Sequence, residues 1–224
     1  MKFFTKKRVV LFLLFIFPLI CFLLLSLGEN NFTKLPVVKE NLIDVSEIDA
    51  TKTVQLKENV TILCFLGDDI NKPKTGLLNL NEKIYKKFID YKKFQIVAIY
   101  PEGKEEEVKN LKEEIGAFTD MQKWNFIASS KEEIEGFYVT FGLNNEPLVN
   151  LYSSKAFLID KDVNLRGRLT DKDSKDGKLY GYNMNSVAVL NGKLIDDIKV
   201  LYYEYYAAFK EKNNNKADRK EVGL

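Results

Sequence analysis

Two adjacent aspartates and one cysteine are the residues of this chain whose types and spacing could do chemistry. Asp68 and Asp69 directly follow an apolar stretch that contains Cys64. Neighbouring carboxylates can coordinate a hard metal ion or transfer a proton, and an exposed thiolate can act as a nucleophile. The chain contains no histidine, which excludes imidazole ligands and any Ser/His or Cys/His pair. Chemistry at this position would therefore rest on carboxylates, amines or a single thiol.

Each of these residues also has a simpler interpretation. An aspartate in a turn commonly accepts hydrogen bonds from backbone N–H groups, so we expect Asp68 and Asp69 to form a solvated turn, with a metal-ion site or a partner contact as the alternatives. Cys64 lies four residues before the turn, inside the apolar run, which predicts a buried, unreactive thiol. The alternative is a one-cysteine thiol enzyme that uses Cys64. The second cysteine, Cys21, lies in a separate apolar segment, and there is no Cys-x-x-Cys pair.

Arg166 and Arg168 form a second candidate site. They are two residues apart in a predicted strand, so their side chains project from the same face. Together they could contact an acidic partner. The alternative is a pair of solvated surface cations, which contribute little.

Strand and helix patterns alternate from residue 60 onward, as is typical of an α/β domain. The run 60–66 (VTILCFL) predicts a central buried strand, and 94–99 and 124–127 predict the next two. Residues 156–160 and 165–169 predict a hairpin in which Asn164 can take a left-handed conformation. Apolar residues at helical spacing predict four helices, marked by Leu77, Leu80, Ile84, Phe88 and Tyr91; by Val108, Leu111, Ile115 and Phe118; by Ile134, Phe137 and Phe141; and by Leu194, Ile198, Leu201, Tyr205 and Phe209.

The N-terminal segment predicts a membrane anchor. Residues 9–27 (VVLFLLFIFPLICFLLLSL) contain no charge and would span about 28 Å as a helix. The basic residues of segment 1–8 would stay in the cytoplasm, which places the rest of the chain in the periplasm or an equivalent exported space. A cleaved signal peptide is the alternative, because small residues follow the apolar run. A lipoprotein signal ending at Cys21 fits poorly, since Ile20 is large and more apolar residues follow.

Length and composition predict one folded domain with appendages. The chain has 224 residues, of which 46% are hydrophobic, and a formal charge of +2. No clustered basic surface is evident, which disfavours a nucleic-acid partner. We divide the chain into a cytoplasmic basic segment (1–8), a transmembrane anchor (9–27), a linker (28–55), a folded domain (56–212) and a polar tail (213–224).

The order of predicted elements resembles a thioredoxin-like domain, and four stretches resemble the SCO/SenC family within that group. The stretches are 60–67 (VTILCFLG), 97–101 (VAIYP) with the acidic 102–107, 124–128 (WNFIA) with 132–134, and 156–162 (AFLIDKD) with 165–168 (LRGR). The resemblance covers about residues 59–212. It implies an α/β fold with a thioredoxin-like central mixed sheet flanked by helices, here preceded by one N-terminal transmembrane helix.

The SCO/SenC family consists of membrane-anchored proteins that deliver copper to cytochrome c oxidase or maintain its thiols. This chain departs from the family at the positions that bind copper. Residues 68–74 (DDINKPK) stand in place of the Cys-x-x-x-Cys-Pro motif, and 151–155 (LYSSK) stand where the family has its histidine. The resemblance therefore implies a protein without cofactor or enzymatic activity that acts by binding, with respiratory oxidase or its assembly proteins as partners. The alternatives are a carboxylate metal site at Asp68 and Asp69 and a thiol enzyme that uses Cys64.

Overall fold

The computed structural model describes residues 6–26, 34–117, 119–174 and 177–221, in two units, Met1–Thr33 and Lys34–Leu224. The first unit contains α1 (Lys6–Leu11), a π-helical stretch (Phe12–Ile16) and α2 (Phe17–Ser26). Within the described residues, no helix is both long enough and apolar enough to cross a membrane. The predicted spanning helix over 9–27 is not supported by this finding. Phe118, assigned to a helix from its spacing, lies outside the described residues.

The second unit is built on a mixed sheet. Its strands are β1 (Val37–Lys39), β2 (Val60–Leu66), β3 (Phe94–Pro101), β4 (Trp124–Ser129), β5 (Tyr152–Ile159), β6 (Leu165–Arg166) and β7 (Tyr182–Asn183). They lie in the order β1-β6-β5-β2-β3-β4, with β7 paired to β5. β3 is parallel to β2 and β4, whereas β5 is antiparallel to both β2 and β6. In the inner order β3-β2-β5-β6, β3 and β2 are parallel, and β5 is antiparallel to its neighbours β2 and β6. This is the arrangement of the thioredoxin fold, which confirms the predicted thioredoxin-like mixed sheet.

Strand β2 lies in the middle of the sheet, between β5 and β3, and every one of its residues is buried. Ile62, Cys64 and Leu66 pack into one apolar cluster, and Leu63 and Phe65 pack into a second cluster on the other face. This alternation is the period of two that a strand imposes on its side chains. A continuous apolar run is therefore what a strand covered on both faces requires.

Helices cover the two faces of the sheet unequally. α3 (Lys74–Leu80), α4 (Lys86–Phe88), α5 (Glu105–Gly116) and α8 (Ile195–Glu221) contribute to the first cluster, and α6 (Lys131–Val139) contributes to the second. π-helical stretches, Asn81–Tyr85 and Leu190–Leu194, join α3 to α4 and α7 (Val187–Val189) to α8. α8 continues to Glu221, well into the stretch 213–224 predicted as a polar tail.

Residues 34–55, predicted as part of a linker, belong to the folded domain. They form β1 and a short 3-10 helix (Val45–Glu47), and Leu42 and Val45 are buried in the second cluster. Two aspartates replace regular structure in holding this segment. Asp44 accepts hydrogen bonds from the backbone of residues 56 and 57, and Asp49 accepts them from the backbone of residues 53 and 54. Apolar residues that are buried singly from irregular backbone leave no periodic signal, which explains the incorrect boundary.

The hairpin between β5 and β6 differs from its prediction in one residue. Val163, rather than Asn164, takes the left-handed conformation, with a φ of 63°. Asn164 instead donates its backbone and side-chain N–H groups to the carboxylate of Asp160 at 2.8 and 3.2 Å. The Val163 side chain is buried in the second cluster, and this burial offsets the strain of a β-branched residue at positive φ.

Candidate functional site

The turn between β2 and α3 lies where the SCO/SenC resemblance places its copper-binding cysteines. Gly67 opens the turn with a φ of 79°, and a Cβ at this position would lie 2.6 Å from the Tyr152 Cβ and 2.9 Å from the Asn150 carbonyl oxygen. Only glycine fits so close an approach. The backbone N–H of Asp68 donates to the same Asn150 carbonyl at 3.1 Å. The turn is therefore held against the loop that precedes β5.

Residues 149–152 form the facing wall of the site. Val149 and Tyr152 exchange two backbone hydrogen bonds of 3.1 Å, and the two residues between them, Asn150 and Leu151, have φ values of 53° and 61°. This is a type I′ turn, whose second central position is normally glycine. Leu151 is 5% exposed, so its buried side chain stabilises a conformation that leucine rarely adopts. The segment 151–155, where the resemblance places the family's histidine, thus starts directly against the turn.

The charges of the site come from the turn itself and from helix α6. Asp68 pairs with Lys131 at 3.2 Å, because the Ser130 side chain caps α6 and places Lys131 in its first turn. The Lys72 ammonium lies 4.6 Å from the centre of the Tyr152 ring. Asp69 accepts the backbone N–H of Asn71 at 3.1 Å, which is the turn role expected for an aspartate.

Metal coordination has little support here. The described residues contain no group of three or more Cys, Asp, Glu or His side chains placed to hold a metal ion. Asp68 is paired with the ammonium group of Lys131, and Asp69 accepts a backbone N–H group of the turn. A cavity of about 260 Å³ opens beside the turn, lined by Ile70, Asn71, Lys74, Glu107, Asn110, Leu111 and Glu114. Its two glutamates and one lysine include the ion pair Lys74–Glu114.

Cys64 has the properties of a core residue. Its side chain is fully buried between β3 and β5, opposite Ala98 and Ala156. Burial in apolar surroundings strongly raises the pKa of this thiol, so it is protonated at neutral pH. A thiol without exposure or thiolate character is a poor nucleophile. The prediction of a buried Cys64 is confirmed, and both Cys64 and Cys21 are free of disulfides.

Arg166 and Arg168 lie on one face, as predicted, but both have carboxylate partners in the same chain. The Arg166 Nε donates to Asp160 at 2.6 Å, and its side chain is only 12% exposed. Arg168 makes a bidentate pair with Asp197 of α8 at 2.9 Å. The hydrogen bonds that Arg168 donates to the Asp197 carboxylate raise the pKa of its guanidinium above the ordinary value. Both arginines therefore hold α8 or the hairpin in place, and a contact with an acidic partner stays a prediction.

Arg166 also reaches α8, through Glu204 at 3.4 Å. Asp197 and Glu204 are two helical turns apart in α8, so each arginine has its own carboxylate on that helix. The hairpin motif that carries the SCO/SenC resemblance thus attaches the last helix to the sheet.

A cavity of about 600 Å³ lies away from the turn, with Lys155 and Lys193 in its wall. Lys155 pairs with Glu146 at 2.5 Å in its wall, and Lys193 pairs with Asp171 at 2.7 Å and with Asp173 at 2.8 Å. Every charged side chain that lines this cavity has an opposite partner. Among the described residues that line the cavity, the charges are thus already neutralised within the chain.

A search of solved structures finds several that are similar to this chain. They include a SCO1/SenC family lipoprotein from Bacillus anthracis, with 16% identity, a TM-score of 0.48 and coverage of 78% of this chain and 99% of that one. The thioredoxin domain of a thiol-disulfide oxidoreductase from Bacteroides vulgatus has 17% identity, a TM-score of 0.44 and coverage of 74% and 98%. A thiol:disulfide interchange protein from Bacteroides sp. has 17% identity, a TM-score of 0.41 and coverage of 60% and 79%.

A SCO/SenC family member is thus among the similar structures, and at a TM-score of 0.48 and 16% identity it assigns neither family nor activity to this chain. A scan against models of protein families finds no match. A search of curated proteins finds none either.

The sequence did not reveal two parts of the site. Lys131 is 63 residues from Asp68, and nothing near either residue indicates that they pair. The type I′ turn was missed because Leu151 occupies a position where glycine would have been the signal. Asn150 was the one usable indication, since asparagine tolerates a left-handed conformation.

Proposed function

We propose that this domain acts by binding a partner protein at the turn formed by residues 68–74, without thiol or copper chemistry. One observation carries the proposal. At the end of β2, where the SCO/SenC resemblance implies two cysteines, the chain presents carboxylate, amide and ammonium groups, and its one neighbouring thiol is fully buried. Hard carboxylate and amide ligands suit copper poorly compared with thiolates and imidazole.

The shape of the site favours recognition over catalysis. Gly67 and the type I′ turn at Asn150 and Leu151 fix the backbone, while Asp69, Asn71 and Lys72 are exposed above it. A fixed backbone that presents mixed charges provides specificity at low entropic cost. The described residues of the turn include no nucleophile paired with a base.

The location and partner class of the proposal come from the sequence. The charge-free segment 9–27 supports a single-pass anchor with the domain in the periplasm or an equivalent space. The SCO/SenC resemblance supports a respiratory oxidase or one of its assembly proteins as the partner.

Site-specific photo-crosslinking in intact cells tests the proposal. A photoreactive amino acid replaces Lys72 in the turn, and the matched control replaces Lys57, which is also an exposed lysine but lies before β2, at the other end of the strand. We expect a discrete crosslinked protein from position 72 that is absent from position 57. Equal crosslinking from both positions would contradict a specific site at the turn.

Chemistry is tested on the full chain purified in detergent. We expect no Cu(I) bound at micromolar concentration and no reduction of a disulfide substrate. Tight Cu(I), Cu(II) or Ca²⁺ binding that is lost in the double variant Asp68→Ala/Asp69→Ala would establish a carboxylate metal site instead. Cell fractionation with N-terminal sequencing of the mature chain tests the anchor, since a soluble product starting near Glu29 would contradict it.

A further inference from the structure

Strand β4 lies at one end of the sheet and leaves a row of backbone groups without a partner strand. In the described part of the chain, β4 pairs only with β3. The Ser129 carbonyl accepts the backbone N–H of Glu102, the residue that follows β3. Ser129 therefore directs its backbone groups toward β3, and so do the other odd-numbered residues of β4. Successive residues of a strand direct these groups to opposite sides. Phe126 and Ala128 therefore direct their N–H and C=O groups away from the sheet.

The opposite end of the sheet is built differently. β1 has three residues, follows Pro36, ends in Lys39 and pairs irregularly with β6. Short length, proline, lysine and irregular pairing are devices by which edge strands avoid taking up another strand. β4 has six residues (WNFIAS), pairs regularly with β3 and has none of these devices. It is an edge to which another strand can add.

A groove lies along this open edge. It has a volume of about 490 Å³ and opens to solvent. One wall is the edge itself, from Phe126 to Ala128. The other wall comes from the loop before β2, with Tyr100, Glu102 and Glu105 completing the lining; its lining residues are Asp49, Ala50, Thr51, Thr53 and Val54. Extended peptides bind to such an edge by main-chain pairing, with side-chain pockets on alternate sides.

The charge of the groove is negative. Asp49, Glu102 and Glu105 line it, and none of its lining residues is basic. Asp49 is 6% exposed, and its carboxylate accepts hydrogen bonds from Thr51 and from the backbone N–H groups of Thr53 and Val54, all of them neutral donors. The ammonium group of Lys112 lies 5.8 Å from the centre of the Phe126 ring, but Lys112 does not line the groove.

The ionisation of Asp49 is consistent with this charge. Burial by itself raises the pKa of the Asp49 carboxyl, but the hydrogen bonds from Thr51, Val54 and Thr53 outweigh that effect and hold the pKa below its ordinary value. The carboxylate is therefore charged at neutral pH. An anion stabilised only by neutral groups still attracts a cation that approaches through the groove.

We propose that this groove binds an extended basic peptide of a partner protein, which adds to the sheet beside β4 and pairs with the backbone of Phe126 and Ala128. The open edge supplies the hydrogen bonds, and the acidic lining selects lysine or arginine side chains on the peptide. The surface is separate from the turn of residues 68–74, so this inference stands or fails independently of the proposed function.

A synthetic peptide serves as the probe. Fluorescein-labelled Lys-Val-Lys-Val-Lys-Val with capped ends is titrated with the full chain in detergent, and binding is followed by fluorescence anisotropy at low salt. The comparison peptides are Glu-Val-Glu-Val-Glu-Val and the lysine peptide with alternate backbone nitrogens methylated. We expect the lysine peptide to bind about tenfold or more tightly than either, because one comparison reverses the charge and the other removes main-chain donors.

Variants of the chain locate the binding. Ala128→Pro removes an outward N–H without touching the pairing with β3, and Ala128→Ser is its matched control because serine keeps that N–H. We expect about tenfold weaker binding for Ala128→Pro and unchanged binding for Ala128→Ser. Should the proline variant fail to fold, the double variant Glu102→Gln/Glu105→Gln tests the acidic lining, with Glu135→Gln, an exposed glutamate of α6 outside the groove, as its control.

Amide hydrogen exchange gives a direct readout of the pairing. Phe126 and Ala128 are expected to exchange faster than Ile127 in the free chain and to become protected when the lysine peptide binds. Equal binding of the lysine and glutamate peptides, or no change of protection at β4, would refute the proposal. Self-association of the chain that Ala128→Pro abolishes would also refute it, because the edge would then pair with a second copy.

Discussion

Replacement of Arg166 by methionine should destabilise the domain more than any comparable loss of a surface charge. Arg166 donates to the carboxylate of Asp160 at 2.6 Å, and the Asp160 side chain is completely buried. The same guanidinium contacts Glu204 of α8 at 3.4 Å and donates to the Leu35 carbonyl. Methionine keeps most of the apolar stem but none of these interactions. The variant therefore leaves a buried carboxylate without its cation.

The expected cost follows from burial. Removal of one partner of a buried ion pair typically costs about 3–5 kcal/mol, because the remaining charge has neither a partner nor water. Asp160 keeps its hydrogen bonds from the backbone of Asp162 and from Asn164, so we place the cost near the lower end, at about 3 kcal/mol. For a domain of this size that corresponds to a fall in Tm of roughly 6–12 °C.

Urea denaturation of the full chain, followed by circular dichroism, measures this cost. Lys131→Met is the matched control, since the Lys131–Asp68 pair is 61% and 39% exposed and should contribute about 0–1 kcal/mol. The double variant Asp160→Asn/Arg166→Met should be less destabilised than the sum of the two single variants, because it leaves no buried charge without a partner. If Arg166→Met cost no more than Lys131→Met, the argument from burial would be wrong.

Three further predictions follow from single residues. In urea denaturation, Val163→Gly should be about 1 kcal/mol more stable than Val163→Ala. Both variants lose the buried valine side chain, but only glycine relieves the strain of the positive φ. An alanine variant more stable than the glycine variant would contradict this. The hydrogen bond from the Lys193 ammonium holds the pKa of the Asp171 carboxyl below its ordinary value of 3.8, against the opposing effect of burial. The Asp171–Lys193 pair therefore contributes to stability above about pH 4, and this contribution is lost as the pH falls below that value. The difference in unfolding free energy between the wild type and Asp171→Asn should narrow as the pH is lowered. A difference that widens in acid would contradict this. Cys64 should resist a maleimide in the folded chain and react after denaturation, as peptide mass spectrometry would show; rapid labelling of the native chain would restore the thiol-enzyme alternative.

Much of the sheet was predictable because its signals are local. The run 60–66 is apolar at every position, and its seven residues are all buried in β2. The alternation of strands and helices then predicted the thioredoxin-like order that the strand pairing confirms. The incorrect boundary at residue 55 arose where the backbone is irregular and where Asp44 and Asp49, not a periodic ladder, satisfy its N–H groups.

The sequence predicted only part of the candidate site. Asp68 and Asp69 could be placed at the end of a strand from the apolar run that precedes them. Their partners could not, since Lys131 belongs to a helix 63 residues away. The open edge of β4 was also invisible, because a sequence does not show which strand lies at the end of a sheet.

The sequence by itself determined what this protein lacks and what its core contains. The absence of histidine excludes imidazole ligands and bases, and there is no Cys-x-x-Cys pair for dithiol chemistry. The apolar run around Cys64 predicts a buried thiol. Composition and short-range pattern are properties of the chain alone, so both conclusions need only the sequence. Only the tertiary structure decided what the charged residues do. From the sequence, Arg166 and Arg168 could be interpreted as surface cations. In the structure, carboxylates of α8 that are 38 and 29 residues away in the chain pair with them. The energy of a charge depends on its burial and on its nearest opposite charge, and both are set by contacts between distant parts of the chain.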